Sequence, residues 1–127
     1  MNIIAYKGQR IYLASPYSSR DGSIQNQRAN HTCESASVLI EAGIFVFSPI
    51  VYCHALATEF SIPGDFDYWK AFNWTWIEWA EQFWIDAQPG WDESVGVQHE
   101  LNFADAQNKP ALLYHYGEGD DSLKEIG

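Results

Sequence analysis

What most limits the fold of this chain is a set of four short apolar runs, rich in β-branched and aromatic residues, set between longer stretches of helical period. The runs are Arg10–Ala14, Ile44–Ser48, Gln82–Ala87 and Pro110–His115. Short, nearly continuous apolar runs suit strands that are covered on both faces, as in a parallel sheet, better than half-solvated hairpins. Ser15-Pro16, Pro49 and Pro89-Gly90 close the first three. The first helical stretch is Ile24–Glu41, with Ala29, Cys33, Ala36, Val38, Leu39 and Ile40 at apolar positions and Gly43 as a stop. Tyr68–Ala80 follows, with a core-facing stripe of Trp69, Phe72, Trp76, Trp79 and Ala80. A third helix starts at Ser94 and runs to about Asn108. Strands alternating with helices require right-handed crossovers. The expected fold is therefore α/β, a small doubly wound parallel sheet of four to five strands, flavodoxin- or Rossmann-like, flanked by helices. In strand order 2-1-3-4 the switch point lies between the first and third strands, so residues 12–20, Asp86 and the start of the Ser94 helix meet at one cleft.

Two stretches lack a sustained period. Residues 49–66 read as a long loop with at most a short helical turn. Residues after Gly117 read as a mobile acidic tail, which divides the chain into one domain, 1–117, and a tail, 118–127. A length of 127 residues suits one core, and 46% hydrophobic with 16% aromatic residues marks a folded protein. The net charge of −10 opposes binding to a nucleic-acid polymer, itself a polyanion, but leaves room for a small anion at a helix terminus. Cys33 and Cys53 have no metal spacing and read as reduced, buried thiols, so neither a metal nor a cofactor is expected. The amino terminus lacks the order of a signal peptide and no run approaches transmembrane length, which makes the cytoplasm the default location. Trp74 falls off the stripe of its helix, beside Glu78. An exposed tryptophan there would mark the contact of a homo-oligomer, most simply a two-fold dimer.

The pattern that carries chemistry is Ser94-x-Gly96-x-x-x-Glu100. Ser94 is a good N-cap, and the first N–H groups of a helix point outward at a place where an anion is welcome. Glu100 lies four residues beyond Gly96 on the same face, and helical side chains lean toward the N-terminus, so its carboxylate extends over the glycine. Room for a substrate results. The alternative is a solvated acid complementing the helix dipole.

Ser94-Val-Gly-Val-Gln-His-Glu100-Leu, followed by Ala104 and by Lys109-Pro110 before a strand, resembles the nucleophile segment of the nucleoside 2-deoxyribosyltransferase superfamily. Ile11-Tyr-Leu-Ala-Ser-Pro-Tyr17 resembles its first strand and substrate loop. The resemblance implies that Glu100 attacks the anomeric carbon of a sugar, as in retaining glycosidases, and that the Tyr12 hydroxyl bonds this nucleophile; the alternative is that Tyr12 is only a core aromatic. It implies an aspartate as proton donor one helix before the third strand, but the matching position holds Asn73, which can hydrogen-bond a base without delivering an acid proton. Asp86 and Asp92 are candidate substitutes. His54 matches a histidine common in related sequences and is otherwise a hydrogen-bonded structural residue. Six positions before the nucleophile the base-exchanging enzymes tend to carry an acid and the monophosphate N-glycosidases a serine, here Ser94. Ser15, Ser18 and Arg20, on the loop after the first strand, complete the expected anion site.

Three functions follow from these residues. The first is cleavage or transfer of the (deoxy)ribosyl group of a nucleoside 5′-monophosphate through a glycosyl-enzyme intermediate. The second is base exchange on free nucleosides, and the third a catalytically silent nucleotide-binding or sensing domain, which Asn73 keeps open. The expected partner is a small nucleoside or nucleotide.

Overall fold

The computed structural model describes residues 1–62 and 66–127. Five strands, β1 (Arg10–Ala14), β2 (Phe45–Phe47), β3 (Gln82–Asp86), β4 (Ala111–Tyr114) and β5 (Leu123–Glu125), form one sheet in the order β2-β1-β3-β4-β5. The first four are parallel, with Tyr12 opposite both Phe47 and Phe83, and Asp86 opposite Tyr114. The expected order is thus found, with a fifth strand added antiparallel to β4, Tyr114 opposite Leu123.

Side chains alternate across each strand, so the two faces of the sheet hold different sets. Ile11, Leu13, Trp84 and Tyr114 face α1 (Gly22–Glu41) through its Ala36 and Leu39. Tyr12, Ala14, Phe83 and Ile85 face α3 (Phe66–Trp79) and α4 (Val95–Ala106), where they meet Ile77, Val97 and Ala104. Gly43, at φ 82°, takes the left-handed turn that ends α1 and returns the chain to β2.

Four expectations are corrected. Much of the expected loop 49–66 is a helix, α2 (Pro49–Glu59), and residues 63–65 of that loop lie outside the described residues. Its start is well specified, because Ser48 accepts a hydrogen bond from Val51 N–H and Pro49 sits in the first turn. Apolar residues point outward as well as inward on this helix, Tyr52 and Val51 being exposed while Cys53 is buried, and so it shows no sequence period. On α1, Cys33 and Ile40 are exposed and Thr32 and Ser35 are buried, because the inward face carries polar partners for a buried group on β3. On α3 the buried line is Asn73 and Ile77, continued by Ala80 just past its end, with Phe72, Trp76 and Trp79 half-buried beside it. Trp74 is half-buried too, its ring stacked on Phe103 at 4.4 Å, so it is not the exposed ring on which a dimer contact was expected.

The fourth correction is the tail. Beyond Gly117 the chain makes a short 3-10 turn, Gly119–Asp121, and then β5, which buries Ser122 and Leu123. Met1 bonds the same strand, its ammonium donating to the Leu123 carbonyl at 2.9 Å and its own carbonyl accepting from Leu123 N–H at 3.0 Å. Leu123, 1% exposed, packs with Leu112 and Tyr114. Leu123→Ala is therefore expected to cost about 3 kcal/mol in chemical denaturation, whereas a mobile tail would show no change.

Candidate active site

At the carboxyl ends of β1 and β3, on the α3/α4 side, the chain encloses a cleft of about 430 Å³. That volume suits a nucleotide-sized ligand. Ser94 caps α4, its Oγ accepting from Val97 N–H at 3.2 Å, and Ser94, Gly96 and Glu100 line the cleft together.

Glu100 is 5% exposed. Its Oε2 accepts from Tyr12 Oη at 2.7 Å and from Asn73 Nδ2 at 2.9 Å, while Oε1 has no hydrogen bond among the described residues. Three elements far apart in sequence thus fix, by one of its oxygens, a carboxylate that lines the cleft. Burial raises the carboxyl to about 7; the bonds from Tyr12 and Asn73 pull the other way and are outweighed. The Tyr12 phenol, fully buried and beside Glu100, is pushed well above its ordinary range, so it stays a donor. Phe83 holds its ring from the next strand, stacked at 5.5 Å.

The remaining candidates divide. Ser15, Ser18 and His54 line the cleft. His54 is held at both nitrogens, Nδ1 lying 2.7 Å from Tyr17 Oη and Nε2 3.0 Å from Asn26 Oδ1. With the amide oxygen accepting from Nε2–H, Nδ1 accepts from Tyr17. Arg20 is exposed and outside the cleft wall; the cation there is Arg28, six residues into α1. Its Nη1 donates to Ser18 O at 2.8 Å, and a side chain at Gly90 would start only 2.7 Å from its Nη2. Gly90, at φ 95°, is thus required by conformation, and a side chain there would displace the end of Arg28.

Asp86 is not brought to the cleft. It shares a face of β3 with Trp84, toward α1, while Tyr12 and Glu100 lie on the other side of the sheet. Fully buried, it gathers Thr32 Oγ1 at 3.0 Å, Ser35 Oγ at 2.9 Å, Gln88 Nε2 at 3.0 Å and His31 Nδ1 at 2.9 Å. Its carboxylate anchors the turn after β3 to α1. Asp92 is exposed and likewise outside the cleft wall. The polar line Arg28, Thr32, Ser35, at helical spacing on α1, was the available signal for both Arg28 and the Asp86 cluster.

This arrangement has the α/β fold of nucleoside deoxyribosyltransferase-like proteins. A solved structure of the 2-deoxyribosyltransferase from the psychrotolerant bacterium Bacillus psychrosaccharolyticus matches it with a TM-score of 0.56 and 25% sequence identity, over 83% of this chain and 71% of that one. The chain itself belongs to the family described as Domain of unknown function (DUF1937), which it matches over residues 9–116. No curated protein matches it. No helix among the described residues is long and apolar enough to cross a membrane.

Proposed function

We propose that the chain is an N-glycosidic-bond enzyme that cleaves or transfers the (deoxy)ribosyl group of a nucleoside 5′-monophosphate, with Glu100 as nucleophile. The observation that carries this reading is the one-sided anchoring of Glu100. With Oε2 tied to Tyr12 and Asn73, Oε1 is the atom left to attack the anomeric carbon. The similarity to a 2-deoxyribosyltransferase supports the same chemistry. In the proposed reaction the carboxylate forms a glycosyl ester, which water or a second base resolves.

The phosphate is assigned to Ser94, the first turn of α4 and Arg28, all of which line the cleft. Outward N–H groups at a helix start and a guanidinium both favour an anion. The net charge of −10 opposes it, but contact-range hydrogen bonds outweigh charges screened over about 8–10 Å; Glu93, in the same cleft wall, opposes it at close range. Base release should accordingly be faster from 5′-monophosphates than from the matching nucleosides. Ser94→Asp keeps a good cap yet sets a carboxylate against the phosphate, and is expected to lower kcat/KM for the monophosphate about a hundredfold. Ser94→Ala, losing one neutral hydrogen bond, should lower it only about fivefold. A wild-type preference for free nucleosides would move the chain to base exchange and leave Ser94 as a cap. No release from any nucleoside or nucleotide would favour a silent nucleotide-binding domain, the reading for which Asn73 speaks.

A further inference from the structure

We propose that the base this site releases is one that already carries positive charge on the ring bearing the glycosidic nitrogen, a pyridinium or an N7-alkylated purine. The inference rests on the Glu100 mechanism and concerns the other half of the same bond. Neutral bases need a proton as they leave, or they depart as anions. A cationic base needs none.

Asn73 is, with Tyr12, one of the two polar side chains set directly against the nucleophile, and it is 6% exposed. Its orientation is fixed by chemistry: reversing the amide would set its oxygen against the carboxylate of Glu100, acceptor against acceptor. The Nδ2 group is therefore spent on Glu100, and Oδ1 remains as a buried acceptor without a partner among the described residues, in a residue that lines the cleft. Such an atom calls for a donor or for positive charge from the ligand. It cannot supply a proton.

Among the described residues, no other side chain of the cleft takes over that duty. His54 has both nitrogens engaged by Tyr17 and Asn26. Burial pushes the Cys53 thiol up to about 11, so it keeps its proton. The Tyr17 phenol is also raised by burial and already donates to His54. Glu93 stands next to Ser94, which is assigned to the phosphate. One turn before Asn73 on α3, Trp69 also lines the cleft, and an aromatic ring attracts a flat cation more than a flat neutral ring. The overall negative charge adds a weaker attraction of the same sign.

The step balances without an acid. Glu100 Oε1 forms a bond to the anomeric carbon as the carbon–nitrogen bond breaks, and the electron pair of that bond returns to the ring nitrogen and cancels its charge. The base leaves neutral. Water then attacks the anomeric carbon, the ester bond breaks back to the carboxylate, and the water's proton passes to solvent.

The test measures base release by the full chain from nicotinamide mononucleotide and N7-methylguanosine 5′-monophosphate beside AMP, GMP and CMP, each also as the free nucleoside and each rate divided by its spontaneous rate. The expected result is a kcat/KM at least a hundredfold higher for the cationic bases. Asn73→Asp should narrow that ratio at least tenfold by raising release of the neutral ones. Neutral bases released as well as cationic ones by the wild type would overturn the inference and leave the Glu100 mechanism standing. Absence of release from every substrate would overturn both.

Discussion

Glu100→Gln is expected to lower turnover by roughly a thousandfold or more and, at pH 8, to make the protein more stable than the wild type. The first effect follows from loss of a covalent nucleophile, since an amide cannot form the glycosyl ester. The second follows from burial. The carboxyl ionises at about 7 in the fold, against an ordinary 4.5. The protonated form is thus favoured by folding, and the corresponding stability is fully present below pH 4.5 and lost as pH rises through 7. The difference, 7 − 4.5 = 2.5, corresponds to roughly 3 kcal/mol at pH 8, or a melting temperature higher by about 10 °C in the variant. Glutamine keeps an oxygen for Tyr12 and Asn73, so the gain is not offset by orphaned donors. At pH 4.5 the two proteins should melt together. Thermal unfolding at both pH values checks this, and the wild-type kcat/KM should rise as pH passes about 7, where the nucleophile ionises. Equal turnover by a folded variant would remove Glu100 from the chemistry.

Asp86→Ala should produce the largest loss of stability. The substitution strips the shared acceptor from Thr32, Ser35 and Gln88 in a fully buried place; Ser35 loses its acceptor there, while Thr32 and Gln88 fall back on the Arg28 carbonyl. Removing one partner of a buried charged network costs about 3–5 kcal/mol, a large part of the 5–15 kcal/mol that hold a domain of this size together. Asp86→Asn keeps the shape and one acceptor, and should cost about half as much. This milder variant also decides the role of Asp86. If the carboxyl delivered a proton to the leaving base, the amide would abolish turnover in a folded protein; as an anchor on the α1 face, it should leave turnover within about tenfold of wild type while lowering the denaturation midpoint.

How far the sequence disclosed this arrangement depended on whether a signal was local or shared between elements. The sheet order was legible because four apolar runs alternate with helices and the handedness of crossovers leaves few ways to connect them. The placement of Ser94, Gly96 and Glu100 was legible because one helix carries all three. Asn73 was placed by resemblance, and the structure seats it on Glu100. Arg20 was named because a loop cation next to serines looks available, and Arg28 was not weighed. What decided otherwise was the phase of α1, whose inward face bears Thr32 and Ser35 and shows little apolar period. Asp86 was misplaced for a related reason: closeness to a strand end was weighed, and the alternation that sends it with Trp84 to the α1 face was not. α2 lacks period because its outward residues are apolar as well, although Ser48-Pro49 marks its start. In the last ten residues one buried leucine was too little to reveal a strand that exists by pairing with β4.

The hydrogen bond between Tyr12 and Glu100 joins residues 88 positions apart, and the one from Asn73 spans 27. Contacts of such separation form late when a chain folds, because long loops must close before they are rewarded. Until β1, α3 and α4 dock, Glu100 is a hydrated carboxylate like any other. Its desolvation thus belongs to the last, native-side part of the folding reaction, where interactions govern how fast the molecule opens more than how fast it forms. The residue that equips the cleft for chemistry therefore also sets a clock on the native state, which at alkaline pH should come apart sooner while refolding at nearly the same rate.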